Sequence, residues 1–383
     1  MDFSISDDQR DMKEMMRKFA AQEIAPIAIE IDRDSRFPAE TFEKMGKAGV
    51  LGLLAPEEYG GVGQSVLTAC LVMEEIAYAC SSTALSYLAH AVLTVHNLSC
   101  NGSAEQKAKY LPDLVSGKKL GALCMTEPGA GSDALNLQTA AVRDGDDYVL
   151  NGSKTFITNA SVAGIFLVYA RTDKDAGPRG LSQFILEREF PGLSVGQPFH
   201  KMGMRGSPTS EVFFENCRVP AANLVRGENQ AMSILLGGLD VERVVGGAMG
   251  VGAGKSALDR ALAYAKERQQ FNQPIMMFEM VLEKIANMAM ELEAARLLTY
   301  KAACLCDEGV RCSAEASYAK LYASEMGMRT ASEAVQILGG YGYMQEYEVE
   351  RIMRDAKLGT IGGGTSEIQR LIIAREIIKR SMM

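Results

Sequence analysis

Gly237-Gly238-Leu239-Asp240-Val241-Glu242-Arg243-Val244-Val245 sets two carboxylates and a guanidinium within four residues. The chain then turns apolar and glycine-studded through Gly246, Gly247, Gly250, Gly252 and Gly254. A carboxylate beside apolar neighbours is a candidate general base, because burial disfavours its charged form and lifts its pKa. The same two acids also read as first-turn residues that complement a helix dipole. From about Asp240 to Gln270 the pattern is helical, with Val244, Met249, Ala257, Leu258, Ala261, Leu262 and Ala265 on one side. The small residues let another surface approach this helix closely.

A chain of 383 residues has room for two or three domains with ample core to position such a helix. Residues 1–120 read as helices. Ser6 caps a run with Met12, Met15, Met16, Phe19 and Ile24 on one face, stopped near Pro26. Pro38 to Ala48 forms a second run ending at Gly49, and Ala104 to Leu114 a short one. Ser65 to Cys100 is apolar helical text, broken near Ser81-Ser82, as in a helix buried on most sides. At Leu120 the period changes to two, with turn signals at Asp144-Gly145, Asn151-Gly152, Gly177-Pro178 and Pro191-Gly192. Phe166 to Ala170 and Glu211 to Glu215 are the clearest strands. The expected domains are 1–120 helical, 121–228 β, and 229–383 helical.

A net charge of −8, with 40 basic and 48 acidic residues interspersed, argues against a nucleic-acid or anionic-membrane partner. The eight cysteines lie mostly in apolar helical text, which suits a reducing compartment. Cys304, Cys306 and Cys312 lack paired metal-ligand spacing, and His90 and His96 do not share a helix face, so no metal is expected. An acidic start without a leader pattern and no uncharged apolar span indicate a cytoplasmic protein. Gly254-Lys255-Ser256 imitates a phosphate loop, but Met249 occupies the required first glycine. No strand-linked Rossmann fingerprint occurs either.

Leu123-Cys124-Met125-Thr126-Glu127-Pro128-Gly129-Ala130-Gly131-Ser132-Asp133 ends a strand in a hydroxyl and a turn rich in exposed N–H groups, able to meet an anion or a polar ring edge. This stretch resembles the T-E-P-x-A-G-S-D signature of the flavin-dependent acyl-CoA dehydrogenases. Asn151 to Asn159, Arg268-x-x-Phe271, Gln336 to Gly342, and Arg354 to Lys357 with Gly364 to Ile368 are similar to further motifs of that family, in the family's order. The resemblance implies an α+β multidomain fold: an N-terminal helical domain, a middle β-barrel-like domain and a C-terminal helical bundle. It implies FAD, an acyl-CoA substrate, electron-transferring flavoprotein as acceptor, and a homotetramer in which a neighbour completes the cofactor site. By position, Leu123, Met125, Thr126, Gly131, Ser132, Phe156, Ile157 and Thr158 would line the flavin ring. Arg268, Glu279, Gln336, Gly339, Gly340, Thr365, Ser366 and Glu367 would hold the rest of the cofactor. Ser132 would also meet the CoA chain.

Two departures from the family pattern bear on the chemistry. Most members carry the catalytic glutamate two residues before Thr365, where this chain has Gly363. The isovaleryl-CoA dehydrogenase branch shares that vacancy and carries its base in an L-D-L-E-R similar to Leu239 to Arg243. Ser86 to His90 and Lys201 to Ser207 also resemble that branch. The resemblance therefore implies Glu242 as base, with Asp240, Arg243, Gly363 and Gly364 at the substrate. Glu279 stands where the family has a glutamine, and Asn272 replaces a glycine, which weakens those expected FAD contacts. Leu88, Ala91 and Val92 differ from the isovaleryl branch, which leaves alicyclic or straight short-chain thioesters open. A base-less lyase or a CoA-thioester binder is the rival of a different class.

Overall fold

The computed structural model describes residues 5–382. Helix α1 (Asp7–Phe19) starts where the sequence signals it: Ser6 and Gln9 form a reciprocal capping box. It does not stop at Pro26. The backbone continues through a π-helical turn (Ala20–Ile24) and a tight turn (Ala25–Ile27) into α2 (Ala28–Arg33). Pro26 is tolerated because it opens that turn, where its missing N–H is not needed. Helices α3 (Ala39–Lys47), α4 (Val66–Ala79), α5 (Ser81–Tyr87), α6 (Asn97–Asn101) and α7 (Ala104–Val115) complete the first block. The break between α4 and α5 falls at the extended Cys80, and a π-helical stretch, Leu88–His96, joins α5 to α6.

The middle block is an open eight-stranded sheet. Its strands are β1 (Leu120–Cys124), β2 (Ala140–Asp144), β3 (Asp147–Thr158), β4 (Ala163–Arg171), β5 (Leu181–Glu187), β6 (Leu193–Val195), β7 (Thr209–Pro220) and β8 (Leu224–Val225). Their order is β6-β7-β3-β2-β4-β5-β8, with β1 parallel to β4, so the sheet curls without closing. Phe166, Val168, Phe184, Leu186, Val212 and Phe214 fill one of its cores.

The C-terminal block holds α8 (Ala231–Glu267), α9 (Glu279–Asp307), α10 (Ser313–Leu338), α11 (Val349–Gly359) and α12 (Ser366–Ser381). Helix α8 starts more than two turns before Asp240, so neither Asp240 nor Glu242 belongs to a first turn and the helix-dipole reading falls. Its expected single apolar side is also too narrow: Val245, Ala248 and Val251 are as buried as Val244. The glycines explain how it is enclosed. A Cβ on Gly250 would lie 2.8 Å from the Ala323 carbonyl oxygen of α10, and one on Gly252 would lie 2.3 Å from that of Glu74 in α4. Helix α8 is thus the shared core element between both helical blocks.

Candidate active site

Glu242 lies on the stretch of α8 that faces α10 and the loop between α11 and α12. Part of its side chain stays accessible, but protein surrounds most of it. Burial is the main influence on its carboxyl and pushes the pKa up, while the charges of Arg243 and Lys320 pull it back. That is the environment of a base tuned towards neutral pH.

The facing loop, Thr360 to Thr365, turns through Gly363 (φ +63°) and Gly364 (φ +86°), both in the left-handed region that glycine occupies without strain. A Cβ on Gly363 would sit 3.4 Å from Glu242 Oε1 and 3.9 Å from Lys320 Cε. The loop is tied from two sides. Lys320 Nζ donates to the Gly359 and Gly364 oxygens at 2.8 and 2.7 Å. Gln369 Nε2 donates to the Gly363 and Gly364 oxygens at 3.0 and 3.2 Å. Thr365 caps α12 by accepting the Ile368 N–H, and Ser366 is buried with its hydroxyl unpartnered.

Both oxygens of Asp240 are engaged: Arg243 Nη1 donates to one at 2.9 Å and Ser313 Oγ to the other at 2.7 Å. Asp240 therefore braces Arg243 against α10 and is not a second free base. Arg243 keeps its Nε buried and unpaired, a donor without a partner beside Glu242. Opposite α8, the π-helical stretch presents Leu88, Ala91 and Val92, all buried. Leu88 Cδ2 lies 4.0 Å from where a Cβ on Gly246 would be. Such π-helical segments recur at functional sites because they re-aim side chains.

The loop after β1 is fixed by groups for which no role was expected. Thr126 accepts the Thr155 N–H at 2.9 Å. Lys154 Nζ, fully buried, donates to Glu127 Oε1 at 2.8 Å and to the Met125 oxygen at 3.1 Å. Burial pushes the Glu127 carboxyl up, but Lys154 and the Gln138 N–H outweigh it and hold it below the usual range. Gly129 and Gly131 have nothing within 4 Å of an added Cβ, and Ser132 is exposed. Phe156, 66% exposed at φ +57°, stands off the sheet with its ring 5.6 Å from that of Phe199. Thr158 is half-buried at the end of β3, and Leu123 and Met125 pack half-buried beneath the loop. Ile157 turns its side chain into the sheet core and has its backbone to offer a ligand at this loop.

The remaining expected cofactor residues form a separate place. Arg268, Gly339, Gly340, Tyr264, Ile337 and Tyr341 line a cavity of about 540 Å³, with the Arg268 guanidinium 5.7 Å from the Tyr341 ring centre. Gly339 and Gly340 also have nothing within 4 Å of an added Cβ. Gln336 and Glu279 are exposed at the ends of α10 and α9. Thr365, Ser366 and Glu367 are not here; they open α12, beside the Gly363 loop. Arg268 follows Glu242 by 26 positions along α8, roughly 39 Å at helical rise. Two open, glycine-lined cradles with an arginine at one of them fit a dinucleotide.

His90 has no ligand role: Nε2 donates to the Leu114 oxygen at 3.1 Å while Nδ1 accepts the Gly121 N–H at 3.0 Å, which pins the first block to β1. Among the described residues no three His, Cys, Asp or Glu side chains are grouped to hold a metal. No helix of the described residues is long and apolar enough to cross a membrane. Lys320 and Gln369 escaped the sequence reading. The signal for Lys320 was a lone cation at helical spacing from Ser313, Ser317 and Ser324, inside a small-residue face.

Helical, sheet and helical blocks enclosing a buried carboxylate against a glycine loop define a three-domain enzyme class. Family models for the N-terminal, middle and C-terminal domains of acyl-CoA dehydrogenases match residues 6–118, 122–217 and 229–378. The probable acyl-CoA dehydrogenase YngJ of Bacillus subtilis is 48% identical, over 99% of this chain and 100% of its own. A cyclohex-1-ene-1-carbonyl-CoA dehydrogenase of Syntrophus aciditrophicus is 45% identical, over 98% and 91%. An isovaleryl-CoA dehydrogenase of Solanum tuberosum is 44% identical, over 97% and 91%. The structure of butyryl-CoA dehydrogenase from Megasphaera elsdenii superposes with a TM-score of 0.96 at 40% identity, over 99% of this chain and 100% of its own. The chain belongs to the acyl-CoA dehydrogenase family, oxidoreductases acting on CH–CH donors.

Proposed function

We propose that the chain catalyses FAD-dependent α,β-dehydrogenation of a short branched acyl-CoA, of the isovaleryl-CoA kind, to the 2,3-enoyl-CoA. Glu242 is the base. The observation that carries this reading is the 3.4 Å between Glu242 Oε1 and the point where a side chain on Gly363 would begin. A carboxylate rooted on α8 reaches the spot from which a residue of the closing loop would otherwise act. The absent side chain at 363 leaves room for a branch on the acyl chain.

The thioester oxygen gains charge as the α-proton leaves, so a fixed donor is required. The Gly363 N–H, in a loop held by Lys320 and Gln369, meets that need, and Gly364 extends the same backbone turn. Glu242 takes the proton, and Arg243, braced by Asp240, lends positive charge beside it. Bound FAD supplies the acceptor for the β-hydride and the route for electrons to electron-transferring flavoprotein. The residues from Leu123 to Ser132 and from Phe156 to Thr158 line its ring, with Ser132 also meeting the CoA chain. Thr365, Ser366 and Glu367 approach from α12. Arg268, Glu279, Gln336, Gly339 and Gly340 of a second copy hold the far end; Arg268, Gly339 and Gly340 line one open cavity. A homotetramer supplies such neighbours.

The test is oxygen-free mixing of the flavin-loaded protein with isovaleryl-CoA and butyryl-CoA in parallel, following flavin absorbance. Isovaleryl-CoA is expected to bleach the flavin faster. Faster bleaching by butyryl-CoA, or bleaching only by an alicyclic carboxyl-CoA, would reassign the substrate. Glu242→Gln is expected to bind thioester and bleach about 10²–10⁴-fold more slowly, the span of a general base. Wild-type bleaching would remove Glu242 from the role.

A further inference from the structure

Lys320 is a cation in a place that tolerates few: the middle of α10, 5% exposed, among Ala316, Ser317, Ala319 and Ala323. Removing an ammonium from water costs several kcal/mol, so a buried lysine requires compensating partners. Two are the carbonyl oxygens of Gly359 and Gly364, the two ends of the loop that carries Gly363. The third is electrostatic. Lys320 Cε and Glu242 Oε1 both lie within 4 Å of the same point, the Cβ position of Gly363. The charged groups around the ammonium are Glu242 and Arg243 from α8, Glu325 on α10 itself and Glu367 from α12. Around Glu242 they are Arg243 and Lys320, with the Tyr169 hydroxyl from β4 also within its influence. Burial pushes the Lys320 ammonium down to about 8, and the Glu242 charge leads the influences that oppose this. At neutral pH the lysine is therefore charged, and its charge acts on the Glu242 carboxylate.

We propose that Lys320 is a positioning residue of the dehydrogenation site: its ammonium fixes the glycine loop through Gly359 and Gly364 and holds Glu242 in the ionised, proton-accepting form. The proposal rests on the reading of Glu242 as the base. It explains how a carboxylate can be buried enough to gain basicity and still be ionised when substrate arrives. It also ties both halves of the site to one side chain, because the loop that aims the Gly363 N–H hangs from the cation whose charge acts on the base. No new bond or redox step is involved; the group acts through charge and hydrogen bonds alone.

The flavin-loaded protein decides this with Lys320→Gln, which retains a donor and loses the charge, and Lys320→Arg, which retains the charge. The direct reading is the carboxyl stretch of Glu242 in infrared pH titration, identified by its loss in Glu242→Gln. In Lys320→Gln it is expected to titrate about 1–3 pH units higher, the span produced by an opposite charge at close range. Flavin bleaching by isovaleryl-CoA near pH 7 then falls about tenfold or more, thioester affinity holds, and the rate recovers as pH rises. A purely structural lysine would give a loss that alkali does not restore. An unmoved carboxyl titration in Lys320→Gln overturns the proposal. Should that variant fail to hold flavin, Lys320→Arg decides: a wild-type titration supports the proposal, and an upward shift overturns it. Failure of the base reading looks different, because Glu242→Gln would then bleach normally whatever the infrared titration shows.

Discussion

Gly363→Ala probes the space on which the proposed chemistry depends. The added methyl causes no hard clash, since its nearest neighbours would be Glu242 Oε1 at 3.4 Å and Lys320 Cε at 3.9 Å. Its cost is conformational. Residue 363 holds φ +63°, and a non-glycine residue in that region costs roughly 1–2 kcal/mol. The methyl also fills the gap between the base and the loop, where the α-carbon of a branched thioester must come. A misplacement of about 1 Å at a reacting centre costs on the order of 10²-fold in rate. The expected variant is thus modestly destabilised in urea titration, and its flavin is bleached on the order of 10²-fold more slowly by isovaleryl-CoA. Butyryl-CoA, with no branch to place, loses less. Stopped-flow absorbance with both thioesters measures the difference. A variant that pays the stability cost yet bleaches with isovaleryl-CoA at the wild-type rate would show that the vacancy at 363 is not substrate space.

Two further outcomes follow from buried charge. Burial raises the folded-state pKa of Glu242 above its unfolded value near 4.5. Its contribution to stability is therefore full below that value and is lost as pH rises through the folded one. Glu242→Gln should accordingly melt higher than wild type at about pH 8, with the gap closing by about pH 4; an equal gap at both would contradict the burial argument. Lys154→Met leaves Glu127 buried without its partner, a loss of about 3–5 kcal/mol, and loosens the loop from Thr126 to Ser132. Melting should fall and flavin content with it, and Glu127→Gln added to Lys154→Met should recover part of both; unchanged flavin content would detach that pair from the cofactor loop.

How much of this was legible follows from how far each determinant reaches along the chain. Ser6 as a cap and the break near Ser81-Ser82 are local signals, and the structure bears them out with a Ser6–Gln9 capping box and an extended Cys80. The start of α8 misled because Gly237-Gly238 looks like a helix boundary. The helix nevertheless runs through it from Ala231, so tertiary context overrides the weak propensity of glycine. Lys320 carried only the faint signal of a lone cation on a small-residue helix face. Its partners lie 39 and 44 positions away and are backbone carbonyls, which leave no residue type to recognise. The role proposed for Glu242 was legible only because the family's usual base position is a glycine here, Gly363. One geometric feature favours such a relocation, if Glu242 is the base as proposed. The loop after α11 and the middle of α8 converge on one point, and Lys320 faces that point from a third element. A carboxylate arriving from either side meets the same cation and the same loop N–H, so the electrostatics that make it a base need not be rebuilt. What changes is the side from which the carboxylate intrudes on the acyl chain, and with it the shape of thioester the site admits.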